Sequence, residues 1–116
     1  MRLKSSLLVS ALVRRSFAEG AMAAVVKHGS DEAGAIFVRV SRLDGTTDLY
    51  GPAPQASVAT EDTGDRLFER LLARVPESVI DDRLRSELKF DSDLWIVEIE
   101  DRAGRHFLDL AKSPPQ

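Results

Sequence analysis

Residues 35–42, AIFVRVSR, are the run that most limits what this chain can fold into. β-branched and aromatic side chains lose rotamer freedom in a helix and pack well on a pleated surface, so this run predicts a strand. Asp44-Gly45 follows, and residues 47–50 read as the returning strand. Asp-Gly between two such runs is the strongest short hairpin signal. A second turn signal, Ala103-Gly104, separates residues 93–100 from 105–110. Turns this tight demand antiparallel neighbours. A doubly wound parallel sheet is therefore disfavoured.

Helical spacing accounts for much of the rest. Ser5, Leu8, Val9, Leu12, Val13, Ser16 and Phe17 form one mostly apolar stripe, with Ser5 or Ser6 as cap and Gly20 as left-handed stop. Residues 21–27 read as a strand. Gly51-Pro52-Ala53-Pro54 ends pairing, because proline cannot donate to a ladder. Residues 55–64 read as a mobile loop. Residues 65–75 predict a second helix with Leu67, Phe68, Leu71, Leu72 and Val75 on one face, broken by Pro76. Ser78 and Asp81 resemble a capping box opening a third helix to about Lys89, with Ile80, Leu84 and Leu88 inward. Residues 112–116, KSPPQ, read as a flexible tail. The expected fold is α+β: about five short antiparallel strands, three after the first helix and a C-terminal hairpin, with three helices packed mainly on one face. Residues 1–111 form the one domain.

Composition sets limits on function. A chain of 116 residues is the size of one domain and has core enough to fold without a metal or disulfide. It has no cysteine, which excludes disulfide frameworks, thiol catalysis and iron–sulfur ligation. A net charge of −3 argues against a non-specific nucleic-acid binder. No apolar run is long enough to span a membrane. Residues 7–13 are apolar, but Arg14-Arg15 cuts them off, so a first helix fits better than a secretory signal and a cytoplasmic location is expected.

Few side chains form patterns that carry chemistry. No catalytic spacing, phosphate-binding glycine loop or metal-ligand motif is present, so no catalytic residue, cofactor or metal site is assigned. His28 and His106, the only histidines, sit in different contexts without ligand spacing. A two-residue Asp44-Gly45 loop would pair Arg39 with Tyr50 and Ser41 with Asp48. Arg39, Asp48 and Tyr50 would then share one sheet face, with Val40 and Leu49 on the other, and could hold a small anionic ligand or a peptide. Arg66, Arg70 and Arg74, four apart, would line one helix ridge open to anions or an acidic partner. A three-residue Arg102-Ala103-Gly104 loop would pair Asp101 with Arg105 and Glu100 with His106, raising the imidazole pKa. Trp95 alternates with Val97 and Ile99 and reads as core. Phe37 opposes Ile36, Val38 and Val40, so both faces of the sheet need cover, a second copy of the chain being one candidate.

The segments AGAIFVRVSRLDGTTDLYGPAPQ and FDSDLWIVEIEDRAGRHFLDL, with ALVRRSFAEGAMAAVVKHGSDEAG before them, resemble the bacterial family called domain of unknown function 1491. The resemblance implies a small single-domain protein and brings no catalytic residues. The reading the residues favour is a non-catalytic binding or protein-interaction module that self-associates. Two alternatives remain open: a small enzyme joining Arg39, Tyr50 and His106, and a nucleic-acid-associated protein using the arginine ridge.

Overall fold

The computed structural model describes residues 3–54 and 66–111. The loop expected at 55–64 and the tail at 112–116 lie outside the described residues. Helix α1 spans Ser5–Ala18, followed by strands β1 (Met22–Lys27), β2 (Ile36–Ser41), β3 (Thr46–Pro52) and β4 (Phe68–Pro76). Helix α2 covers Glu77–Phe90 and strand β5 covers Trp95–Glu100. Among the described residues the sheet order is β1-β5-β2-β3-β4. β5 runs antiparallel to β1 and parallel to β2. The fold is α+β, but the sheet is mixed and carries two helices, where an antiparallel sheet with three was expected.

The missing helix is β4. Its partner β3 pairs Thr47 with Val75, Leu49 with Leu72 and Tyr50 with Arg70, so β4 carries an extra residue at each of two bulges. Each bulge shifts side-chain alternation by one place. Leu71, Leu72 and Val75 all pack toward one core as a result, at spacings that mimic a helix.

The helices lie on opposite faces, not mainly on one. Val9 and Leu12 of α1 pack on Val38, Val40, Val97 and Ile99. Ile80 and Leu84 of α2 pack on Phe37, Leu49 and Ile96. Both faces of the central strands are therefore apolar because each has its own helix. Trp95 is buried with the α1 core.

The helix ends differ from the serine caps expected. The Ser5 and Ser6 N–H groups donate to the Glu32 and Asp31 carbonyls, 3.1 and 3.0 Å away. That frees the Ser5 hydroxyl to donate to the Gly34 carbonyl, 2.6 Å away. Gly20 does stop α1, at φ 89°. α2 starts after Pro76 with no side-chain cap, so Ser78 and Asp81 form no capping box. Asp81 reaches across to Arg39 instead.

Pairing also continues to Pro52 rather than ending at Gly51. The Ala53 N–H donates to the Leu67 carbonyl. The Pro52 nitrogen therefore faces the β2 side, beyond Val38↔Tyr50, the last β2–β3 pair, where no donor is needed.

The C-terminal hairpin does not form. Both sides of β5 are occupied, by β1 and β2, so residues 105–110 have no ladder to join. They cross to β4, where the Phe68 N–H donates to the Asp109 carbonyl and the Ala111 N–H to the Phe68 carbonyl. No described helix is long and apolar enough to cross a membrane.

Candidate functional site

The first hairpin decides which side chains can act together. The Arg42 N–H donates to the Thr46 carbonyl at 3.0 Å, closing a three-residue loop of Leu43, Asp44 and Gly45. Asp44 Oδ1 accepts from the Thr46 N–H and hydroxyl, at 2.9 and 2.6 Å, which fixes the longer loop. The register follows: Arg39 pairs with Leu49 and Val40 with Asp48. This is one residue from the expected pairing, and a slip of one inverts every side chain. Arg39 therefore lies on the α2 face, and Asp48 and Tyr50 lie on the α1 face. They form no common site.

Arg39 is spent on structure. Its Nη1 donates to Asp81 Oδ1 at 2.8 Å and its Nη2 to Glu77 Oε2 at 3.2 Å, tying β2 to α2. Its Nε stands 3.7 Å from Glu98. Burial pushes the Glu98 carboxyl up from its ordinary range, and Arg39 opposes the shift.

Asp48 is fully buried. Arg42 Nε and Nη2 both donate to its Oδ2, at 3.0 and 2.8 Å. The Arg74 N–H donates to Oδ1 at 2.7 Å. The ladder skips Asp48 at the first β4 bulge, and Arg74 takes φ 52° there. The carboxylate thus fills the gap the bulge opens. The hydrogen bonds that Arg42 donates to the Asp48 carboxylate raise the Arg42 pKa.

Tyr50 and His106 do meet, with ring centroids 4.7 Å apart. His106 Nδ1 accepts from the Leu108 N–H at 2.9 Å, which leaves the other ring nitrogen to carry the proton in the neutral form. Burial lowers the imidazole pKa and the Arg70 cation lowers it further. The expected rise from Glu100 is therefore corrected: Glu100 sits opposite Met22 and Ser41, not His106. Burial likewise pushes the Tyr50 hydroxyl up, which keeps it protonated. Asp101 and Arg105 do join, at 2.7 Å, but within a turn rather than across a ladder. Arg105 holds the Asp101 carboxyl below its usual range.

No helical arginine ridge exists, because β4 is a strand. Arg66 donates to the Ser5 hydroxyl and to the carbonyls of Gly34, Leu3 and Glu32, clamping the start of α1 to residues 32–34. Arg70 lies beside Tyr50 and His106, and Arg74 marks the bulge. On α2, Arg83 pairs with Glu87 and Arg85 with Asp82. Among the described residues no group of three or more histidines and acids could hold a metal ion.

Two features escaped the sequence reading. One is the edge of β1, unpaired among the described residues, where Met22, Ala24 and Val26 are exposed on the sheet face that α2 serves elsewhere. The other is a groove between α1 and the end of β1, reaching His28, Asp31 and Trp95. The Trp95 Nε1–H donates to the Ser30 carbonyl at 2.8 Å, and its ring lies 5.1 Å from the His28 ring. Helical spacing in residues 5–17 and alternation in residues 21–27 were the available signals for both. Neither could say that β5 rather than another strand would cover β1.

The family model described as "Protein of unknown function (DUF1491)" matches residues 3–109. The chain belongs to the DUF1491 family. Solved structures agree on the DUF1491 fold. The solution structure of protein Atu0922 from A. tumefaciens is 50% identical, with all of both chains covered and a TM-score of 0.84. A crystal structure of a DUF1491 protein from Caulobacter crescentus CB15 is 35% identical, covering 97% of this chain and 100% of that one, with a TM-score of 0.78. An NMR structure of a DUF1491 protein from the same bacterium is 36% identical, covers 97% and 99%, and has a TM-score of 0.76. No curated protein matches.

Proposed function

We propose that this DUF1491 protein is a non-catalytic interaction module that pairs with a second copy of itself through β1. The observation that carries the reading is the contrast between the two sheet edges. β4 has charged side chains, two bulges, a terminal proline and the Asp109–Ala111 segment against its start. These are the usual devices that keep an edge unpaired. β1 is MAAVVK, uncharged until Lys27, with one irregularity between Val25 and Lys27.

The strand is self-complementary. A twofold axis through Ala24 sets Met22 against Val26 of the second copy, large side chains flanking the small pair at the centre. Glu98 lies opposite Ala24 within each chain. The two copies of Glu98 would then stand three strand spacings apart, roughly 14 Å. At that distance in water the repulsion is below about 0.3 kcal/mol before salt screens it. A single short strand pair buries little area, so the dimer should be weak and concentration-dependent.

Sedimentation equilibrium over a wide concentration series tests this. The mass should climb from 12.8 kDa toward twice that value. Ala24→Lys, which sets two lysines face to face at an exposed position, should hold the mass at that of the monomer. A wild-type chain that stays monomeric at the highest concentration removes the reading, as does a dimer indifferent to Ala24→Lys.

A further inference from the structure

The groove between α1 and β1 has a volume of about 450 Å³, within the ordinary range for small-ligand sites. Its polar groups are arranged in a line. Ser6, Ser10 and Arg14 recur every four residues and so form one ridge of α1. Eight residues of helix separate the levels of Ser6 and Arg14 by about 12 Å. Asp31 is fixed at the Ser6 end, because its carbonyl accepts the Ser6 N–H at 3.0 Å. A cation and a carboxylate therefore mark opposite ends of one groove, and neither side chain has an ion-pair partner among the described residues.

The floor between them is apolar and rigid. Val13 and Val25 come from the helix and the strand. The indole of Trp95 is held by its bond to Ser30 and by the His28 ring. A floor already in place costs a ligand little ordering.

We propose that this groove binds an extended, tripeptide-length apolar peptide with free ends, its carboxylate at Arg14 and its amino group at Asp31. Three extended residues span about 10 Å, close to the helical rise of about 12 Å between the Ser6 and Arg14 levels. A nucleotide or other polyanion does not fit, since Asp31 repels a second negative charge. The site is independent of the β1 edge: Val25 points toward α1, whereas Met22, Ala24 and Val26 point to the other face of the sheet.

Trp95 is the only tryptophan, so its emission reports the groove directly. Trileucine titrated into the full chain should give a saturable change. Amidating its carboxylate should weaken binding about tenfold, and that cost should vanish in Arg14→Gln. Acetylating its amino group should do the same, with the cost vanishing in Asp31→Asn. Both substitutions are at exposed positions and should leave the far-UV circular dichroism unchanged. No saturable change at millimolar trileucine overturns the proposal. So does equal binding of the free and capped peptides by the wild-type chain, a result that needs no variant to fold.

Discussion

Replacing Asp48 by asparagine keeps the shape of the side chain and removes its charge. The carboxylate is fully buried and accepts three hydrogen bonds, two from Arg42 and one from the Arg74 N–H. The amide offers one acceptor oxygen and turns an NH2 group toward a donor. It also leaves the Arg42 guanidinium, 12% exposed, without its counter-charge. Removing one partner of a buried pair costs about 3–5 kcal/mol, and the slight exposure of Arg42 argues for the lower end, about 3 kcal/mol. At about 4 °C per kcal/mol for a domain near this size, Tm should fall by roughly 12 °C. Urea unfolding followed by Trp95 emission measures the loss directly. Arg42→Met combined with Asp48→Leu should cost about 2 kcal/mol less than the sum of the single changes, because no buried charge remains. A loss below about 1 kcal/mol for Asp48→Asn, or additive single changes, would falsify the view that the bulge depends on this ion pair.

Two further outcomes can be checked on the same protein. Ile80→Ala opens a cavity in the α2 core and should cost about 3 kcal/mol in urea unfolding, whereas Val79→Ala, one residue away and 40% exposed, should cost under about 0.5 kcal/mol; similar losses at both would reject the assigned helix face. His106 should titrate below its ordinary 6.5, since burial and Arg70 disfavour the imidazolium. Its folded pKa is depressed, so the stability it contributes is full above about 6.5 and is lost as pH falls through the folded value. An NMR titration placing His106 above 6.5, or a pH dependence of stability unchanged in His106→Gln, would contradict this.

The sequence was most legible where local chemistry and burial agree. α1, β2, β3 and α2 follow from their own periodicity, and Gly20 ends the first helix as a left-handed glycine does. The errors came where distant contacts set the pattern. Two bulges spaced Leu71, Leu72 and Val75 as a helix would, and nothing within residues 65–76 shows that Asp48 stands behind the first of them. In the first hairpin, Asp44 bonded to Thr46 and lengthened the loop by one residue, which was enough to put Arg39 and Tyr50 on opposite faces. Gly104 does take the left-handed conformation its turn requires, at φ 75°, but β1 and β2 occupy both sides of β5, so no hairpin follows. Of the candidate residues, Tyr50, His106 and Arg70 gather in one place, within reach of the Asp48 carboxylate that the Arg74 N–H bonds, and they do so across the chain rather than within any segment.

The position of β5 between β1 and β2 also sets the order in which the chain can assemble. β1 and β2 are neighbours in sequence, yet the strand between them begins only at Trp95, and β1 pairs with that strand alone among the described residues. Met22 finds its partner only once Glu100 has been made. Pairings of such long range carry a large loop-closure cost and slow the approach to the native state. Before β5 has been made, β2, β3 and β4 can form a meander, but β1 has no partner on either side. The apolar MAAVVK segment is then bare on two edges rather than one, and the nascent chain is at its most association-prone in that interval.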